Sequence, residues 1–208
     1  MKIGLLDYGR GNLRSVEKAL QKVGGNVVRV DSPEKLENVD AMVLPGVGSF
    51  GDAMQNLQIR GLVDPIRTWL SQDRPFLGIC LGYQLLFEEG EESPGVEGLG
   101  FLPGKVVLFP ESVGKVPHMG WNQILPQPGH DEVLVGLCSG SYFYHVHSYY
   151  PAFVADDVVA CRTEYGISFA SGISKGNVHA FQFHPEKSQD NGLKLLENFV
   201  RISKAALV

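Results

Sequence analysis

Phe76-Leu77-Gly78-Ile79-Cys80-Leu81-Gly82-Tyr83-Gln84-Leu85-Leu86-Phe87 decides how this chain is read. Phe76 to Ile79 is a short apolar run bounded by turn signals, the mark of a buried strand. It ends at Cys80, and Tyr83 to Phe87 then reads as a helix. A strand, a sharp turn and a helix form the setting of a nucleophile elbow, with cysteine where serine often stands. Gly78 and Gly82 supply small residues on either side of the turn. Such a turn lifts the side chain above the sheet and aims it at a helix N-terminus, whose partial positive charge favours a thiolate. The N–H of Leu81 would then face a developing oxyanion. Taken alone, the segment fits a buried packing cysteine equally well, since free cysteines are among the most buried residues.

The residues before this segment alternate strand and helix. Residues 2–7 are a first strand. Leu13, Val16, Leu20 and Val23 recur at helical spacing, and Gly24-Gly25 ends that helix. Residues 26–30 are a second strand, Ser32-Pro33 opens a short helix, and residues 41–44 are a third strand. Leu62, Ile66, Trp69 and Leu70 mark a further helix. The pattern predicts an α/β fold with a mostly parallel, doubly wound central sheet flanked by helices. After the elbow, strands are expected at 104–109, 142–150, 158–163, 167–173 and 177–183, with a hairpin at Lys175-Gly176-Asn177. They read as antiparallel additions to the core sheet. The acidic run 88–92 reads as a solvated helix end and loop. A last helix starts near residue 190.

The 208 residues fit one compact domain spanning 1–208. The net charge is −5 and no block of Lys or Arg stands out, which argues against nucleic acid or a membrane surface as partner. No apolar run approaches the roughly 20 residues of a membrane span. Met1 to Asp7 reads as a strand and not a signal peptide. The cysteines, Cys80, Cys138 and Cys161, are odd in number and widely spaced, which fits free thiols in a cytoplasmic protein. Cys138 and Cys161 have no elbow and are read as packing residues.

His184-Pro185-Glu186 follows the strand ending at Phe183. Pro185 is expected to hold the segment extended and bar a helix. His184 and Glu186 then share a face, and the carboxylate can fix the imidazole tautomer. With Cys80 opposite, nucleophile, base and orienter are assembled. Alone, the segment fits a strand-ending histidine beside a surface glutamate as well. His145 and His147 also share a face, but two histidines without a third ligand are read as structural or substrate-lining, so no metal and no cofactor are expected.

Gly78-Ile-Cys80-Leu-Gly82-Tyr-Gln84 and His184-Pro-Glu186 resemble the class I (triad) glutamine amidotransferases. Residues 7–16, Pro45 to Met54, Gly98 to Gly100, Pro117 to Asn122 and His147 to Tyr150 are similar to one branch of that family, the glutaminases of imidazole glycerol phosphate synthase. The resemblance covers nearly the whole chain. It implies that Cys80, His184 and Glu186 hydrolyse L-glutamine through a thioester, with the oxyanion on the N–H groups of Leu81 and Val47. It implies that Gly48, Gln84 and Glu92, with the backbone of Ser148 and Tyr149, hold the substrate. It also implies ammonia transfer to a (β/α)8-barrel cyclase subunit, with Asn12, Trp121 and Lys187 near the interface. One departure is Tyr83, where the family often has Met, on the elbow helix beside the pocket. The rivals are the glutaminase of another synthase, a Cys-His-Glu peptidase or γ-glutamyl hydrolase, and a non-catalytic interaction subunit.

Overall fold

The computed structural model describes residues 1–9, 11–129 and 131–207. The chain opens with strand β1 (Lys2–Leu6), helix α1 (Leu13–Lys22), β2 (Asn26–Val30), the short α2 (Pro33–Leu36) and β3 (Ala41–Gly46). Helices α3 (Phe50–Ile59) and α4 (Val63–Ser71) follow, then β4 (Phe76–Cys80) and the one-turn α5 (Leu81–Gln84). β5 (Glu89–Gly90), β6 (Lys105–Leu108), β7 (His118–Gln123), β8 (Leu125–Pro126) and α6 (Asp131–Leu134) lead into the second half. That half contains β9 (Tyr142–His147), β10 (Tyr149–Ala152), β11 (Val159–Glu164), β12 (Ser168–Lys175), β13 (Val178–Phe181) and the long α7 (Gln189–Ala205).

The main sheet has eight strands in the order β2-β1-β3-β4-β13-β12-β11-β8. Neighbours from β2 to β13 run parallel, and β12, β11 and β8 are added antiparallel. This is the expected α/β architecture. Alternation of side chains splits each central strand between two cores. Met42, Leu44 and Phe76 pack under α3 and α4 through Phe50, Leu57, Ile66 and Trp69. Ala41, Val43, Leu77 and Ile79 face the other way, onto Val16 and Leu20 of α1 and Leu195, Leu196 and Phe199 of α7. A strand buried on both faces has no polar alternation, which is why Phe76 to Cys80 reads as a continuous apolar run.

Three expectations need correction. The later strands do not all extend the main sheet: β10, β6 and β5 form a three-stranded sheet, and β7 pairs with β9 in a separate ribbon. The acidic run is not a free loop. Glu88 accepts from the Gly104 N–H, Glu91 from the Leu108 N–H and Glu92 from the Phe50 N–H, so the carboxylates stitch backbone donors of neighbouring segments. Pro185 does not bar a helix; it opens a 3-10 turn, Pro185–Lys187. Proline suits the first helical position, where its missing N–H would be unpaired anyway.

Among the described residues no helix is long and apolar enough to cross a membrane.

Candidate functional site

Three pieces of the site emerge at the same edge of three adjacent parallel strands. In the register of the sheet, Gly46 at the end of β3 lies beside Cys80 at the end of β4, and Phe181 of β13 lies beside Ile79. Carboxyl ends of strands in an open parallel sheet are where ligands bind.

Cys80 sits at φ 53°, ψ −106°. Non-glycine residues rarely adopt such a conformation, and holding it costs on the order of 1–3 kcal/mol. Packing above and below enforces it. A Cβ on Gly82 would strike the carbonyl oxygen of Leu44 on β3, and a Cβ on Gly46 would come within 2.8 Å of Leu81 Cβ. The turn is therefore clamped against the neighbouring strand. Leu81 opens α5, so its N–H is among the first helical donors, which lack an intrahelical acceptor.

His184 closes the strand end beyond β13. Its Nδ1 lies 2.8 Å from Glu186 Oε1, and both side chains are almost wholly buried. Its backbone N–H donates to the Tyr144 carbonyl (2.9 Å), and Ser188 Oγ donates to its carbonyl (2.6 Å). Ser188 also accepts from the Tyr144 N–H (3.0 Å), so one hydroxyl ties the 3-10 turn to β9. Burial works against a charged imidazole. The negative charge of a Cys80 thiolate, then Glu186, outweigh it and raise the His184 pKa to about 10. Nε2 of His184 has no hydrogen-bond partner within bonding distance.

Next to Cys80, Gln182 Nε2 lies 3.8 Å from Sγ and donates toward it. Gln182 Oε1 in turn accepts from Gln84 Nε2 (3.1 Å), which also donates to the Tyr149 carbonyl (3.0 Å). With its amide hydrogens directed at these two acceptors, Gln84 has its carbonyl oxygen to present to a ligand. Sequence reasoning missed Gln182. It lies two residues before His184, just past β13, and its full burial requires a polar partner.

A cavity of about 440 Å³ opens over Cys80. It is lined by Val47 and Gly48 from the loop after β3, by Leu81 and Gln84 from the elbow, and by Glu92, Ser148, Tyr149 and Lys187. The expected oxyanion-hole and substrate residues are thus brought to one space with Cys80. Glu92 has a second task there, since one of its oxygens caps α3 at Phe50. A larger cleft of about 600 Å³ lies between α3, α4 and residues 93–97, but no thiol or histidine faces it.

Of the expected interface residues, Trp121 and Lys187 both approach Tyr144. The Trp121 ring meets it edge-on at 6.1 Å, and Lys187 Nζ lies 5.7 Å above it. Asn12 is exposed at the start of α1.

Three side-chain expectations change. Tyr83 does not border the pocket: it is fully buried and its hydroxyl donates to the Ala170 carbonyl (3.1 Å). Cys138 is exposed, not packing, whereas Cys161 is buried and its thiol is pushed up to about 12 by desolvation. His145 and His147 do have a third histidine nearby, because β7 brings His118 across from His147. Burial pushes the His118 pKa down to about 4, that of His147 to about 3, and that of His145 well below its ordinary value.

The family model of class-I glutamine amidotransferases matches residues 4–202. The chain belongs to that family. Among curated relatives, the imidazole glycerol phosphate synthase subunit HisH of Aquifex aeolicus is 52% identical over 202 residues, covering 97% of each chain. The protein of the same name from Methanothermobacter thermautotrophicus is 48% identical, covering 98% of this chain and all of the relative. In fold, the chain is similar to a crystal structure of a glutamine amidotransferase, with TM-score 0.77 at 20% identity over 98% of this chain and 100% of the other. It is also similar to a PurLQS structure from Thermotoga maritima, with TM-score 0.75 at 19% identity over 97% and 98%.

Proposed function

We propose that this amidotransferase is the glutaminase subunit of an imidazole glycerol phosphate synthase, acting as one domain over residues 1–208. The observation that carries the reading is a buried His184–Glu186 pair facing a cysteine held in a strained elbow, in a chain about half identical to HisH subunits.

The Cys80 thiolate attacks the side-chain amide carbon of L-glutamine, and the carbonyl electrons move onto oxygen. That oxyanion is received by the N–H groups of Leu81 and Val47, both of which border the cavity over Cys80. The imidazolium of His184 gives its proton to the leaving nitrogen as the C–N bond breaks, so ammonia departs and a thioester remains. His184, now neutral, takes a proton from water, which attacks the thioester. Glutamate leaves and Cys80 is regenerated. Glu186 keeps the imidazole in one orientation and balances its charge. Gly48, Gln84, Glu92 and the backbone at Ser148 and Tyr149 hold the amino-acid end of the substrate.

Ammonia in water at neutral pH is mostly ammonium, which is not nucleophilic. A water-shielded handover is therefore needed. The receiving partner is a (β/α)8-barrel cyclase, docked near Asn12, Trp121 and Lys187, which completes the imidazole ring and releases imidazole glycerol phosphate and AICAR for histidine biosynthesis in the cytoplasm. No cofactor enters the glutaminase step.

The test is glutamate release from L-glutamine with and without the cyclase and its nucleotide ligand. Release that rises with the liganded partner supports the pairing. Release indifferent to it assigns the chain to another synthase.

A further inference from the structure

β7 and β9 are antiparallel, with His118 opposite His147 and His145 two residues earlier on the same face. His118 Nδ1 lies 3.2 Å from His147 Nε2, and His145 Nδ1 lies 3.3 Å from that same atom. The three nitrogens are all within 4.8 Å of one another, and the three rings are buried. In a tetrahedral zinc site with Zn–N bonds of about 2.05 Å, neighbouring nitrogens stand about 3.3 Å apart. Two of the three edges already have that length.

From this geometry we propose that His118, His145 and His147 form a binding site for a divalent metal ion of the zinc type. His147 Nδ1 donates to the Tyr149 carbonyl (2.8 Å), which fixes the tautomer and leaves Nε2 as a lone pair aimed at the other two rings. A purely hydrogen-bonded cluster satisfies these groups poorly. Two ring N–H groups would compete for one lone pair. A metal ion uses all three facing nitrogens at once. Loading has a stated cost. Asn122 Nδ2 now lies 3.2 Å from His118 Nε2, and that nitrogen must hold the proton when Nδ1 binds metal. The His118 and His145 rings, stacked with centroids 4.4 Å apart and 22° between their planes, must also turn out of the stack so that both Nδ1 lone pairs meet at one point. Phe109 and Phe169 pack against the rings and keep the site dry. His147 also borders the cavity over Cys80.

Cys80 and His184 are competing ligands, so the test uses full-length Cys80→Ala and adds zinc alone. Metal content after gel filtration should be one equivalent, and Co²⁺ should give the visible spectrum of a tetrahedral nitrogen site. In Cys80→Ala/His145→Phe, affinity should fall at least 100-fold, with the metal-free melting temperature as the check on folding. Histidine ring NMR signals of Cys80→Ala should shift on zinc addition at His118, His145 and His147. Absence of binding, equal binding in the His145→Phe variant, or shifts confined to His184 overturns the site.

Discussion

At the scale of single residues, Cys80 bears a conformational cost that the proposed nucleophile role explains. Its φ of 53° is one that glycine adopts freely. Cys80→Gly should therefore be more stable than Cys80→Ala, by about 1 kcal/mol, in urea unfolding, although both lack the thiol. Equal midpoints would mean that the elbow stores no strain. His184 offers a pH test with a definite sign. Its pKa is raised from 6.5 to about 10, against burial and because of Cys80 and Glu186. A raised pKa stabilises the fold fully below pH 6.5, and the contribution is lost as pH rises through about 10. Glu186→Gln removes part of the cause. The stability gap between wild type and Glu186→Gln should shrink steadily from pH 6.5 to 10; a gap that widens or stays flat contradicts the assigned ion pair. These candidates were legible in the sequence because Cys80 ends an apolar strand between glycines and His184-Pro185-Glu186 follows another. Gln182 was not, since nothing in the sequence around it says which buried polar group faces the thiol.

Between elements, the elbow depends on how close α5 comes to β3. A methyl group at Gly82 would meet the Leu44 backbone, which cannot swing aside as a flexible side chain can. Gly82→Ala should cost about 3 kcal/mol or prevent folding, measured as a loss of urea midpoint. Ser188 ties the 3-10 turn to β9 through Tyr144. Ser188→Ala should lower kcat more than it raises KM, because it loosens the base and not the substrate cavity; a pure KM effect would place the hydroxyl elsewhere. The parallel strands and their helices were readable because strands such as Phe76–Cys80 are apolar throughout and α1 and α7 carry stripes at helical spacing. The β7–β9 ribbon was not. Its partners are distant in sequence, and pairing alone brings His118 to His147.

Across the whole molecule, the main sheet carries the chemistry at one edge while helices bury both faces. Val47, Met119, Trp121 and Tyr142 remain substantially exposed. Val47 borders the cavity over Cys80, and Trp121 and Tyr142 border a neighbouring cleft. Exposed aromatic side chains of this kind are typical anchors of a protein interface. Trp121→Ala should weaken binding to the cyclase about tenfold or more, read by calorimetry, while leaving glutamine hydrolysis by the free subunit unchanged. The cavity over Cys80, about 440 Å³, is sized for a small amino acid.

The most direct measurement compares glutamate release by wild type, Cys80→Ala and Cys138→Ala in the presence of the liganded cyclase. The account predicts that Cys80→Ala falls to background and that Cys138→Ala matches wild type. Substantial release by Cys80→Ala, or a loss in Cys138→Ala as large as that expected for Cys80→Ala, would contradict the assignment of the elbow thiol as the nucleophile.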